Sequence, residues 1–104
     1  MIKIPQNPVY VVINTTATDD NVFQVTTLDL WFKELDVFVY DNDCYMGDIG
    51  GQDVTIYTND VYTIKGYVNA GELFFKNLTA GSDTQITIAG VQISDKEKRE
   101  AGLV

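Results

Sequence analysis

Histidine is absent from this 104-residue chain, and that removes much of the chemistry a small protein can perform. Ser-His-Asp and Cys-His schemes need an imidazole base, and imidazole-ligated zinc or a cupin-type metal site needs the ring nitrogens. Cys44, the only cysteine, has no neighbouring base or helix start to lower its pKa. It stands in the apolar run Cys44-Tyr45-Met46, which reads as packing. Ser82 falls in a turn and Ser94 at a strand end, neither in the strand-turn-helix setting of a nucleophile elbow.

Acidic residues are the remaining source of chemistry, 15 of them against 7 bases. Asp41-Asn42-Asp43 with Gly47 and Asp48 superficially resembles a calcium loop. An EF-hand wants an oxygen ligand at its fifth position and glycine at its sixth, where Tyr45 and Met46 stand here. The segment reads instead as a hairpin turn, with a weak calcium site from converging loops left open. No two carboxylates are marked out as an acid/base pair for glycoside hydrolysis. Asp83-Thr84-Gln85 lacks the glycine of an aspartic-protease loop, and no glycine-rich phosphate loop occurs. Asn14-Thr15-Thr16 and Asn77-Leu78-Thr79 match the glycosylation acceptor, which means little without a secretion signal. The expectation is no catalytic residues, no metal and no cofactor, so not an enzyme.

Aromatic rings are the other functional currency, because sugar-binding domains use exposed rings as platforms. Most of the aromatics here sit inside apolar strands, where packing accounts for them. Phe38 and Tyr40, however, share a face opposite Val37 and Val39, and Leu73-Phe74-Phe75 is also apolar on both faces. A two-layer sandwich keeps one wet face per sheet, so such strands are either covered or form an interface. Phe38, Tyr40 and Phe74 are therefore the candidate interface residues.

The elements that must position them follow a period of two. Val9, Val11 and Ile13 alternate with Tyr10 and Val12, a strand apolar on both faces. Leu35, Val37 and Val39 alternate with Asp36, Phe38 and Tyr40. Val54 and Ile56 sit among Asp53, Thr55 and Tyr57, and Ile86 and Ile88 flank Thr87. Turn clusters at Asp19-Asp20-Asn21, Asp41-Asn42-Asp43, Gly50-Gly51, Asn59-Asp60, Asn69-Ala70-Gly71 and Ala80-Gly81-Ser82 recur about every ten residues, the rhythm of a sandwich or barrel. The pattern predicts strands near 9–15, 22–27, 34–40, 44–48, 53–57, 61–66, 72–77 and 84–93. About eight strands suit an all-β antiparallel sandwich, a jelly roll. Thr84, Ile86 and Ile88 share one phase while Val91 and Ile93 fall on the other. Gly90 between them predicts a bulge, in a strand long enough to bend from one sheet to the next.

Length and charge bound the rest. One core fits, two do not. The formal charge of −8 gives no positive footprint for nucleic acid and repels an anionic membrane. It favours solubility or docking on basic protein surfaces. A lone cysteine excludes an intrachain disulfide and suits a reducing cytoplasm. No run approaches the roughly 18 apolar residues of a membrane span, and Met1-Ile2-Lys3-Ile4-Pro5 lacks a signal peptide's apolar run. The division expected is an extended arm over 1–8 holding Pro5 and Pro8, a sandwich domain over 9–94, and a charged tail over 95–104. The tail holds three bases and three acids without a core face. In an assembly protein such arms order against a neighbour.

At this point the chain resembles a known group. The stretch Leu35 to Asp48 is an alternating strand ending at Val39-Tyr40, the polar turn Asp41-Asn42-Asp43, the short strand Cys44-Tyr45-Met46, then Gly47. It resembles a recurrent segment of small tailed-bacteriophage virion proteins. Gly71 to Gly81, followed by Thr84 to Gly90, resembles their closing pair of strands, and Val11 to Thr16 their opening strand. The resemblance covers residues 9–93 and leaves 95–104 without a counterpart. It implies a jelly-roll-like head-decoration, head-fibre or connector component with no catalytic residues. The expected function is thus a structural virion protein, assembled in the host cytoplasm, that oligomerises and contacts other virion proteins. The alternative is a carbohydrate- or receptor-binding sandwich of a tail fibre.

Overall fold

The computed structural model describes residues 9–17, 22–48, 50–78 and 83–103. The expected arm over 1–8, Gly81 and Ser82 lie outside these residues. In chain order the strands are β1 (Val9–Ala17), β2 (Phe23–Gln24), β3 (Trp31–Tyr40), β4 (Cys44–Asp48), β5 (Gly51–Ile56), β6 (Val61–Asn69), β7 (Phe74–Asn77) and β8 (Thr84–Gln92). A 3-10 turn at Ala70–Glu72 precedes β7, and one helix, α1 (Asp95–Glu100), follows β8.

The strands form two four-stranded sheets, ordered β1-β8-β3-β6 and β2-β7-β4-β5, with every ladder antiparallel. The molecule is mostly β and sandwich-like. Alternation builds the interior directly. Phe32, Leu35, Val37 and Val39 of β3 and Ile86 and Ile88 of β8 are buried from one sheet. Cys44, Met46, Ile56 and Phe75 meet them from the other. Phe23 packs on Phe75 with ring centroids 5.9 Å apart, within the range of a favourable aromatic pair. Val11, Ile13, Ile64 and Val68 close the sides of this core.

Four expectations need correction. Asp41-Asn42-Asp43 does not close a hairpin, because β3 and β4 lie in different sheets; it is a corner between them. Asp41 takes a φ of 75° there, a conformation that acidic and amide residues tolerate better than most. Asp43 Oδ1 accepts from the Thr58 amide at 2.7 Å, and Asn42 Nδ2 donates to the Asp83 carbonyl at 2.6 Å. The corner therefore ties two other loops together. Second, Gly90 does not bulge: β8 pairs with β1 in unbroken register from Val9↔Gln92 to Ala17↔Thr84. The irregularity lies across the ladder in β3, between Phe32 and Leu35. Third, β8 pairs only with β1 and β3, so it stays in one sheet. Fourth, the strand expected over 22–27 shrinks to β2, because the Thr26 hydroxyl accepts the Leu28 amide at 3.1 Å and turns the chain.

Candidate functional site

The alternation of β3 that buries Val37 and Val39 turns Phe38 and Tyr40 to the outer face of the β1-β8-β3-β6 sheet. Phe38 is half-buried between Thr87 of β8 and Val61 of β6, its directly opposed neighbours. Tyr40, beside Gln85, is 43 % exposed. Phe74 lies on β7 next to buried Phe75, opposite Gln24 and Gly47, on the outer side of the other sheet. The three candidates therefore divide between two faces: Phe38 and Tyr40 belong together and Phe74 does not join them.

The outer face of this β1-β8-β3-β6 sheet, the larger of the two because its strands are longer, carries more apolar surface than those residues alone. Tyr10 is 65 % exposed and Val12 51 %, both on β1; Val91 on β8, directly opposite Tyr10, is 46 % exposed; Val61 on β6 is 52 % exposed. The signal for Tyr10 and Val12 was present in the doubly apolar alternation of residues 9–13, although the aromatic-centred reading picked out β3 and β7.

A groove of about 640 Å³ runs along this face. Tyr10 and Val91 form one side, Lys33 and Lys65 the other, with Glu34, Asp36 and Glu97 among its lining. Its shape comes from two irregularities and a cap. The β3–β6 register shifts between Phe32 and Glu34, where β6 accommodates an extra residue beside Gly66, whose φ is 97°. The Ser94 side chain accepts from the Glu97 amide at 3.1 Å and starts α1, which brings Glu97 over the groove. Tyr67 then donates its hydroxyl to Glu97 Oε2 at 3.2 Å. Partial desolvation, then that hydrogen bond and the charges of Glu97 and Glu100, raise the Tyr67 phenol above its usual range. Asp36 accepts from the Thr63 hydroxyl at 2.7 Å. The two lysines and three carboxylates make the groove charged at one side and apolar at the other.

The residues weighed for catalysis fall elsewhere. Cys44 is fully buried between the sheets, and burial, helped by the charge of Asp43, pushes its thiol up to about 12. It stays protonated at neutral pH and is sealed from solvent. Ser94 is a helix cap. Asp48 Oδ1 accepts the Gly50 and Gly51 amides at 2.8 and 3.1 Å and so closes the β4–β5 turn. Asn77 is buried in the second sheet while Asn14 is exposed, with Oδ1 accepting from the Thr87 hydroxyl. No group of three or more Asp, Glu, Cys or His side chains is placed to hold a metal among the described residues. No described helix is long and apolar enough to cross a membrane. No known family model, curated protein or solved structure matches the chain.

Proposed function

We propose that the chain is a non-enzymatic structural protein of a bacteriophage virion, which oligomerises or decorates and stabilises the head or its attachments. The observation that carries this reading is the outer face of the larger sheet. Tyr10, Val12, Tyr40, Val61 and Val91 stand in solvent where an isolated soluble domain places polar residues. Covering them with a neighbour removes apolar area from water at about 25 cal/mol per Å².

The strand order supports a jelly roll as its frame. The pairings β1·β8, β2·β7, β3·β6 and β4·β5 describe one long hairpin, with β4–β5 at its tip, rolled so that successive pairs alternate between sheets. Such an arrangement is what an eight-stranded double-sheet roll, frequent in capsid and lectin domains, calls for. Because a fold hosts many functions, the exposed face and the resemblance of residues 9–93 to small virion proteins carry the functional step. The partners are other virion proteins and further copies of this chain, and the place of action is the virion.

The test is composition. Quantitative mass spectrometry of purified particles should find the chain at a fixed stoichiometry to the major capsid protein. Its absence from particles overturns the reading. The groove specifically favours a second reading, a carbohydrate- or receptor-binding module, because Tyr10 stands across from Lys33 and Lys65 with carboxylates alongside. Glycan-array binding abolished by Tyr10→Ala would support that reading.

A further inference from the structure

β1 differs from every other described edge. It is nine residues long, ends the larger sheet, and pairs on one side only, with β8. The opposite edge, β6, is interrupted by the register shift at Gly66 and carries Lys65. In the second sheet, β5 has a register shift against β4 and carries Asp53, and β2 has only two residues. Bulges, charges and short length are the devices that stop sheet edges from pairing with other chains. β1 has none: its sequence contains no Asp, Glu, Lys, Arg, Pro or Gly, and its ladder is regular.

Charge decides what can approach this edge. The chain carries −8, so two copies have a net repulsion, to which an uncharged contact surface adds nothing. β1 and its neighbour β8 together contain no Asp, Glu, Lys or Arg, whereas β3 and β6 on the same sheet carry Lys33, Glu34, Asp36 and Lys65. The uncharged half is also where Tyr10, Val12 and Val91 are exposed. A two-fold axis through the edge makes the contact isologous and necessarily antiparallel, so each strand offers its unpaired amides and carbonyls to an identical copy.

We propose that the chain forms a dimer by antiparallel pairing of β1 with β1 of a second copy, which joins the two larger sheets into one eight-stranded sheet. This rests on the assembly reading above and names its first contact. The pairing satisfies backbone groups that otherwise face water and brings the Tyr10 and Val12 side chains against the neighbouring copy, as in other strand-addition complexes.

Val12 and Val61 supply a matched test. Both are exposed valines on the outer face of one sheet, one on each edge strand, exposed to 51 % and 52 %. Sedimentation velocity on the full chain across micromolar concentrations should show a monomer-dimer equilibrium. Val12→Lys and Tyr10→Lys should weaken it at least tenfold, while Val61→Lys, with the same charge change, leaves it unaltered. Hydrogen exchange on the unmodified chain gives a second reading independent of variant folding: β1 amides should gain protection as concentration rises. A strictly monomeric chain, or equal effects of Val12→Lys and Val61→Lys, overturns the proposal. So does β1 protection that arises only on adding another virion protein. If the chain dimerises regardless of β1 and is present in particles, this edge is wrong and the assembly reading stands.

Discussion

Thr84 sits at the start of β8 with its side chain wholly inside the core, and its hydroxyl has no hydrogen-bond partner among the described residues. A buried hydroxyl left unpaired costs about 1–3 kcal/mol. Thr84→Val should therefore stabilise the fold by about 1 kcal/mol in urea denaturation, and a lower midpoint would refute that account. Gly90 makes the opposite case. A methyl group there would lie 2.8 Å from the Glu34 carbonyl oxygen and 3.0 Å from the Phe32 ring, because β3 bulges towards it. Gly90→Val should cost about 1–3 kcal/mol through overpacking, seen as a fall in denaturation midpoint without a change in slope. The sequence made Gly90 visible as a break in phase, yet the break belongs to β3. An extra residue in a neighbouring strand leaves no mark in the periodicity of the strand that must yield to it. Cys44 adds a pH dependence. Its thiol titrates near 12 folded against an ordinary value of 9.0, so the unfolded chain loses this proton first. The stability it contributes is complete below pH 9 and falls as pH rises from 9 towards 12. Above pH 9, Cys44→Ala should lose stability less steeply than the unmodified chain.

Elements were legible in proportion to how many buried residues repeat along them. β3, β4 and β8 alternate apolar and polar side chains across several residues; β4 and β8 lie where the pattern put them, while β3 starts at Trp31, ahead of the expected 34–40. β2 was overextended because Val22-Phe23-Gln24-Val25 alternates like a strand while Thr26 ends it through a side-chain hydrogen bond. The helix α1 carries no buried side chain, so no periodicity announced it, and the segment read only as a charged tail. Its signal was the capping box Ser94-Asp95-Lys96-Glu97, reinforced by Lys98 beside Asp95 at 2.8 Å and Lys96 near Glu100 at 3.8 Å. The Lys98 ammonium also holds the Asp95 carboxyl below its usual range. The Lys96–Glu100 pair lies in solvent and adds little, whereas the Ser94 cap starts the helix. Ser94→Ala should weaken α1 by roughly 0.5–2 kcal/mol, seen as faster exchange of the Glu97 and Lys98 amides, with the sandwich melting almost unchanged. A large drop in overall melting temperature would mean that α1 is integral to the domain. The candidate site was half legible: Phe38 and Tyr40 stood out on a doubly apolar strand, whereas Tyr10 and Val12, in an equally apolar alternation, gain their meaning once β1 is known to be an edge.

For the whole molecule, the chain ends and the exposed sheet face can be tested separately. If the chain is the virion component proposed above, removing residues 1–8 and 95–104 should leave the β-sheet circular dichroism spectrum intact while lowering incorporation into particles. Equal incorporation of truncated and full-length chains would confine assembly to the sheets. The strand pairing also has a consequence in time. Among the described ladders only β4·β5 joins neighbours in sequence; β1 must wait for β8, made about seventy residues later. Such non-local topology folds in milliseconds to seconds, far slower than a helical bundle. At roughly 5–20 residues per second of synthesis, β1 leaves the ribosome several seconds before its partner exists. Throughout that interval, Val9 to Ala17 is an uncharged, β-branched segment with both edges open. Chains translated close together on one message thus have their β1 segments available to each other before either has a native core, and crowded expression should favour mispairing at this strand.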